Sequence, residues 1–338
     1  MRMKYTTALY MVTLISVALF NGMMLSEVLA EAPKDELIAF STNPVQESGI
    51  WLMDPDGKNQ RALLVIEGKP VPLGLVWSLD GTRIAFHTEI NENIDVYVVD
   101  ANGQNLLQLT NHEAEDSWPT WHPGGQKLAF CTNRDGNYEI YAVTLAGQGL
   151  VNLTNDPVRD REPAWSPDGR TIAFASKRGK SLGDIWVMDN HGGNLQNLTN
   201  VRGQDLQPRW STDGEKVGWT SRRDGSEEIW AMDADGANEL KVSSKQDPNP
   251  GGSFDCSEPS WKPNGKEIAS TALGGGSATI RIHAANGSLQ RLDLTRQGRQ
   301  NRSPAWFDPD FAIVEFSVSP AEKQVLTWGW LKRMGREN

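Results

Sequence analysis

Six tryptophans, Trp77, Trp121, Trp165, Trp210, Trp261 and Trp306, stand 44, 44, 45, 51 and 45 residues apart, and each opens the same succession of turn and strand signals. The fullest copy reads Pro163-Ala-Trp-Ser-Pro-Asp-Gly169, then Ile172-Ala-Phe174, Asp184-Ile-Trp-Val-Met-Asp189 and Leu198-Thr-Asn200. Within the copies, short alternating apolar runs are separated by Asp-Gly or Asn-Gly pairs, among them Asp80-Gly81, Asn102-Gly103, Asp168-Gly169, Asp213-Gly214 and Asn264-Gly265. Asp bonds its own backbone and Gly accepts positive φ, so such a pair between apolar runs signals a hairpin. Four short strands repeated at a period in the forties predict an all-β fold, a six-bladed β-propeller of four-stranded antiparallel blades.

The chain ends predict how the ring closes. Leu37 to Val65 supplies the second, third and outer strands of a blade that no Trp strand precedes, whereas Trp306 marks a Trp strand that no full blade follows. Pairing the two completes blade one from both ends and removes the open sheet edge. Blades two to six then start at Trp77, Trp121, Trp165, Trp210 and Trp261. Phe311 to Phe316 is a competing strand that either displaces or extends this closure. The six tryptophans, and the third-strand aromatics Trp51, Tyr97, Tyr141, Trp186 and Trp230, are expected to fill the wedges between blades.

Arg2 and Lys4, the run Ala8 to Phe20 and the small residues at Val28-Leu-Ala30 and Ala32 have the order of a secretory signal peptide. Thirteen helical residues reach only about 20 Å, short of a hydrocarbon core of roughly 30 Å. The expected organisation is therefore a leader at 1–30, the propeller at 31–310 and a C-terminal tail at 311–338. The product is expected to be exported to the periplasm or outside the cell, monomeric, and without a transmembrane anchor after cleavage. In the tail, Trp328 and Trp330 beside Lys332, Arg333 and Arg336 suit packing on the closing blade or contact with a surface. A formal charge of −10 argues against nucleic acid, whose phosphates need a basic face. Cys131 ends a strand of blade three and Cys256 enters blade six, on opposite sides of a six-membered ring, so both are expected to be free thiols.

With these stations in view, the chain resembles the TolB-like propeller repeats, which share the pattern P-x-W-S-P-D-G, I-A-F, R-D-G-x-x-E-I-Y, M-D-x-D-G and L-T. The resemblance runs from about Leu37 to Trp306 and is one of repeat type. TolB, the periplasmic component of the bacterial Tol system, carries an α/β domain ahead of its propeller, and few residues separate the expected leader from the first strand here. The resemblance implies an exported six-bladed propeller that serves as a protein-binding platform. Prolyl-oligopeptidase-like peptidases have similar repeats but pair them with a hydrolase domain.

Candidate site residues gather on the face that carries the second-to-third loops and the blade crossovers, called the top. The crossover pattern D-x-x-P-x-W places Asp116, Asp160 and Asp205 in consecutive blades, with Cys256 and Asn301 at the same station later and Pro72 in blade two. Each Asp either caps its own crossover or joins an anionic crescent that needs a cation or a basic side chain. Trp118 occupies the position held elsewhere by Glu162, Gln207, Glu258 and Ser303, and is either a binding hot spot or packed on the next loop. The second-to-third loops add Arg134, Arg178 and Arg223, with Asp135, Lys180, Arg222 and Asp224, as solvated charges or contacts. Lys245 to Asp255 forms a longer loop on the same face.

The residues expected to touch a partner are thus Asp116, Trp118, Asp160, Glu162, Asp205, Arg134, Arg178 and Arg223. The sequence contains no G-x-S-x-G, no H-E-x-x-H and no phosphate loop, and its five histidines lack metal-ligand spacing. No catalytic residue, metal ligand or cofactor is assigned. The leading expectation is a non-catalytic scaffold for a protein or peptide. The alternatives are a Ca²⁺-dependent hydrolase or lactonase-like enzyme using Asp116, Asp160, Asp205 and Asn301, and a carbohydrate-binding propeller.

Overall fold

The computed structural model describes residues 31–314 apart from 44–47, 91, 180–181, 244–254, 289–290 and 296–299, together with 326–327. The expected leader, Lys180, residues 245–254 of the long loop and Trp328 to Arg336 of the tail lie outside the described residues. Six four-stranded antiparallel sheets follow one another as blades. Blade two, for example, is Leu73–Trp77, Arg83–Glu89, Ile94–Asp100 and Leu107–Gln108, and blade four is Asp160–Trp165, Thr171–Ser176, Asp184–Asp189 and Gln196–Asn197.

Blade one is built from both ends of the chain, as the strand count predicts. Leu37–Thr42 pairs on one edge with Gly49–Met53 and on the other with Arg302–Phe307, with Ile38 opposite Trp306. Phe307 then packs on Trp77 of blade two, the rings 5.2 Å apart. Gly81 makes room for it: at φ +71°, a Cβ there would lie 2.2 Å from the Phe307 ring. The competing segment does not displace the closure, since Ile313–Val314 pairs instead with Leu326–Thr327 in a separate two-stranded sheet.

Each repeat station has a structural role. The second strands are sandwiched between neighbouring sheets, so Ile84-Ala-Phe86, Leu128-Ala-Phe130 and Ile172-Ala-Phe174 are all buried regardless of strand alternation. In the Ser-x-Asp-Gly turn, Ser166 Oγ donates to Asp168 at 2.6 Å while the Gly169 N–H returns to the Ser166 carbonyl. The Leu-Thr of the outer strand exists for its hydroxyl: Thr110, Thr154, Thr199, Ser243 and Thr295 each accept the N–H of a third-strand residue at 2.9–3.0 Å.

The tryptophans do more than fill space. The indole N–H of Trp77, Trp121, Trp210 and Trp261 donates to a backbone carbonyl of the preceding blade, Ala305, Val76, Ala164 and Arg209, at 3.0–3.2 Å. A single side chain thereby buries a large ring and satisfies its polar edge across the blade boundary. Cys131 and Cys256 are buried and form no disulfide. Among the described residues no helix is long and apolar enough to cross a membrane.

Candidate functional site

The innermost strands carry a ring of backbone strain. Gly74, Trp118, Glu162, Gln207, Glu258 and Ser303, one per blade, all have positive φ between 49° and 62°. In five of the six a proline follows, and the ladder skips both residues as a bulge, for instance between Ser117 and Thr120. Proline has no N–H to give a ladder, so the bulge removes it from pairing. Left-handed backbone costs a non-glycine residue on the order of 1–3 kcal/mol and persists only where its surroundings hold it.

What holds it is a closed circle of hydrogen bonds. Every one of these six N–H groups donates to a side chain of the preceding blade. Gln207 donates to Glu162 Oε2 at 2.8 Å, Glu258 to Gln207 Oε1 at 2.9 Å, Ser303 to Glu258 Oε2 at 2.9 Å and Gly74 to Ser303 Oγ at 3.2 Å. Two members of the ring, Gly74 and Trp118, carry no acceptor. In those blades the second strand supplies one: Trp118 N–H donates to His87 Nδ1 at 3.2 Å, and Glu162 N–H donates to the Cys131 sulfur.

His87 and Cys131 occupy one second-strand column, continued by Ala175, Thr220, Thr271 and Ser41. Thr220 and Thr271 brace the ring by donating to Gln207 at 2.8 Å and Glu258 at 2.6 Å. Gly74 is small because His87 fills its place; a Cβ there would lie 2.9 Å from His87 Nδ1.

The ring is electrostatically uneven. Burial pushes the Glu162 carboxyl up against the pull of Arg161 and Arg209, and it pushes the Arg209 guanidinium down. Burial, aided by the charges of Arg161 and Arg209, pushes His87 down to about 3, so it is neutral and accepts the Trp118 N–H. Burial likewise raises the Cys131 thiol, which makes it a hydrogen-bond acceptor and not a thiolate nucleophile.

The eight sequence-selected residues fall into two groups. Asp116, Asp160 and Asp205 are buried, and each faces the arginine of its own blade's second-to-third loop: Arg134 at 3.0 Å, Arg178 at 2.5 Å and Arg223 at 3.0 Å. Those guanidiniums in turn lie over the blade aromatics Tyr141, Phe174 and Trp230, 4.3–5.4 Å from the ring centres. These six residues tie crossover to loop in three successive blades. Their carboxylates face guanidiniums, and no cluster of three or more His, Cys, Asp or Glu among the described residues is arranged to hold a metal.

Trp118 and Glu162 belong instead to the channel ring. Trp118 is half-buried and tilted over His87, 5.2 Å between ring centres.

Three features of the channel and its mouth escaped the sequence reading. Tyr138 is flanked by the guanidinium carbons of Arg159 and Arg161 at 4.6 and 4.2 Å and donates its hydroxyl to Glu115. Arg209 stands in the channel column where other blades carry Val76, Thr120, Ala164, Ser260 and Ala305. Between blades four and five lies a cavity of about 250 Å³ whose wall includes Arg161, Glu162, Ala175 and Leu206.

Two overlapping stretches, residues 36–182 and 180–329, match the TolB beta propeller domain. The chain belongs to that family. No curated protein matches this sequence. Among solved structures, this TolB-type propeller is similar to TolB from Acinetobacter baumannii, at 23% identity over 81% of this chain and 68% of that one, with a TM-score of 0.69. It is also similar to the putative TolB from Agrobacterium tumefaciens, at 17% identity over 80% and 99% of the two chains, TM-score 0.61. A chain of the nidogen/laminin complex superposes at 11% identity over 80% and 98%, TM-score 0.61. At these identities the structural likenesses describe the fold.

Proposed function

We propose that this chain is an exported, non-catalytic propeller that binds a protein or peptide partner over the channel mouth on its top face. The observation that carries this reading is the braced ring: five strained non-glycine residues, Trp118 among them, are locked by hydrogen bonds into one rigid wall of mixed chemistry. A wall held in place beforehand loses little entropy on binding, which is where affinity is gained. Backbone strain also concentrates at functional sites. Beside the ring, Trp118, Tyr138, Arg159 and Arg161 supply the aromatic and guanidinium groups that dominate protein-binding hot spots. A propeller of this fold occurs in a nidogen/laminin complex, and the family name is that of TolB. The reading requires no cofactor.

The mature protein, used as bait in an extract of its own envelope or medium, is expected to recover one stoichiometric protein partner. Trp118→Ala should weaken that complex by about 2 kcal/mol, a loss of roughly thirtyfold, with the melting transition in place. Asp160→Asn, which leaves every hydrogen bond of the ring in place, should weaken it far less. Recovery of no partner, or Trp118→Ala binding like wild type, overturns the reading. A stoichiometric calcium-binding heat abolished by Asp160→Asn would transfer the assignment to a metal-dependent enzyme. Export has its own check: the first residue of the secreted protein should be Glu31 or Pro33, as cleavage after Ala30 or Ala32 requires.

A further inference from the structure

The second-strand column has one gap. Where blades two, three, five and six place His87, Cys131, Thr220 and Thr271, blade four places Ala175, because Glu162 already supplies the acceptor that the next blade needs. The missing volume becomes part of the cavity of about 250 Å³ on the top face. Its charges are unbalanced: Arg159, Arg161, Lys177 and Arg222 line it, against Glu162 alone. This is a cationic recess in a chain whose formal charge is −10.

The four cations are not equivalent. Arg222 is fixed, with its Nε 2.9 Å from Glu227 and another nitrogen 2.9 Å from Gln204. Arg159 and Lys177 form no ion pair among the described residues. Arg161 reaches Glu115 only at 3.6 Å, and its Nε is buried with no acceptor. A buried guanidinium donor left unmade costs more than an ordinary hydrogen bond returns, so this atom is a point where an acceptor belongs. The same wall includes the apolar side chains of Ala175, Leu206 and Leu182, the last 68% exposed.

We propose that this recess is a carboxylate-binding subsite that seats one acidic group of the peptide or protein partner, with a small apolar group against Leu182 and Leu206. The inference rests on the protein-binding reading above and deepens it. An arginine fork matches a carboxylate through two parallel bonds. The volume falls below the roughly 300–1,000 Å³ of sites that enclose a small molecule, so it admits a chain end or a single side chain. Glu162 beside the cations disfavours a doubly charged phosphate. The wall holds no aromatic ring on which a sugar could stack, which favours a peptide over an acidic polysaccharide. The carboxylate comes either from a chain terminus or from an Asp or Glu side chain.

The test titrates the full mature chain with pools of randomised acetylated pentapeptides while following the Arg161 Nε–H resonance. One pool has a free C-terminal carboxylate and no acidic residue, a second is amidated with a central Asp, and a third is amidated and uncharged. A galacturonate oligomer serves as a fourth probe. At least one carboxylate pool should shift the Arg161 resonance and bind about tenfold more tightly than the uncharged pool, a difference of about 1.4 kcal/mol. The tighter of the two carboxylate pools identifies the source. Arg161→Lys, which keeps the charge and loses the fork, should remove that preference. Lys177→Gln, on the exposed rim, should reduce it severalfold and flatten its salt dependence without changing the melt.

Equal binding of charged and uncharged pools, no perturbation of Arg161 at millimolar peptide, or tighter binding of the galacturonate overturns the proposal. Each of those results leaves the recovery of a protein partner, and its loss in Trp118→Ala, to be read independently.

Discussion

Removing residues 302–338 should cost on the order of 5 kcal/mol or more of folding stability and should abolish the cooperative unfolding of blade one with the rest of the ring. The strand Arg302–Phe307 is the innermost strand of that blade, and without it Leu37–Thr42 becomes an unpaired edge. Two large rings leave together, Trp306 from the cluster around Ile38, Phe40 and Met53, and Phe307 from the cluster around Trp77 and Leu37. Losing one buried Trp or Phe costs about 3–5 kcal/mol, and two that straddle the blade boundary act in concert. Trp306→Ala alone, which keeps the ladder, should cost about 3–5 kcal/mol and leave the transition single. Urea melts of the three proteins, with hydrogen exchange at Ile38, Ala39 and Phe40, measure this. Unchanged midpoints and unchanged exchange protection in the truncated chain would falsify the closure.

The contrast between closure and site shows what a repeat sequence reveals. Closure is legible because an orphan Trp strand and an orphan three-strand blade are countable in one dimension. The Asp–Arg ties were half legible. Asp116 and Arg134, Asp160 and Arg178, and Asp205 and Arg223 all stand eighteen residues apart. That constant offset, read across blades, marks an ion pair repeated in each, where Asp and Arg taken separately suggest a crescent and a set of solvated charges. The channel ring was the least legible part. Trp118 is visibly odd in its column, but its consequence appears in another column of the same blade, where Cys131 replaces the acceptor that Trp118 lacks. His87 does the same for Gly74. Such compensation joins residues from different blades, such as His87 to Trp118 and Cys131 to Glu162, and only the packed ring brings the columns together. The cavity has the same origin, since Ala175 looks unremarkable until it is set in register with His87, Cys131 and Thr220 of the other blades.

Acid should loosen this protein through His87, and the sign follows from which state holds the proton. In the folded chain His87 is 6% exposed and titrates at about 3, below the ordinary imidazole value of 6.5. Between those two values the unfolded chain binds a proton that the folded chain refuses. Folding stability is therefore lost progressively as pH falls from 6.5 towards 3, by an amount on the order of 4–5 kcal/mol at the acid end. Asp160 opposes this. Burial, outweighing its bonds to Ser176 and Arg178, raises its carboxyl to about 6, above the unfolded value, so its contribution grows as pH falls through 6.

The two groups are separable by substitution. His87→Gln retains an acceptor for the Trp118 N–H and removes the titration, so the stability difference between wild type and variant should decline steadily from pH 6.5 to 3. Asp160→Asn should leave that decline in place and remove only the opposing rise. Denaturant midpoints collected at half-unit pH intervals decide between these curves, and parallel profiles for wild type and His87→Gln would show that the imidazole is not the acid-sensitive link. The same proton has a local consequence. A charged His87 donates at Nδ1 and cannot accept from Trp118, so the channel ring opens at the blade that carries the hot-spot tryptophan. Binding that depends on Trp118 should accordingly weaken as pH approaches 3, where the folded chain itself takes up the proton.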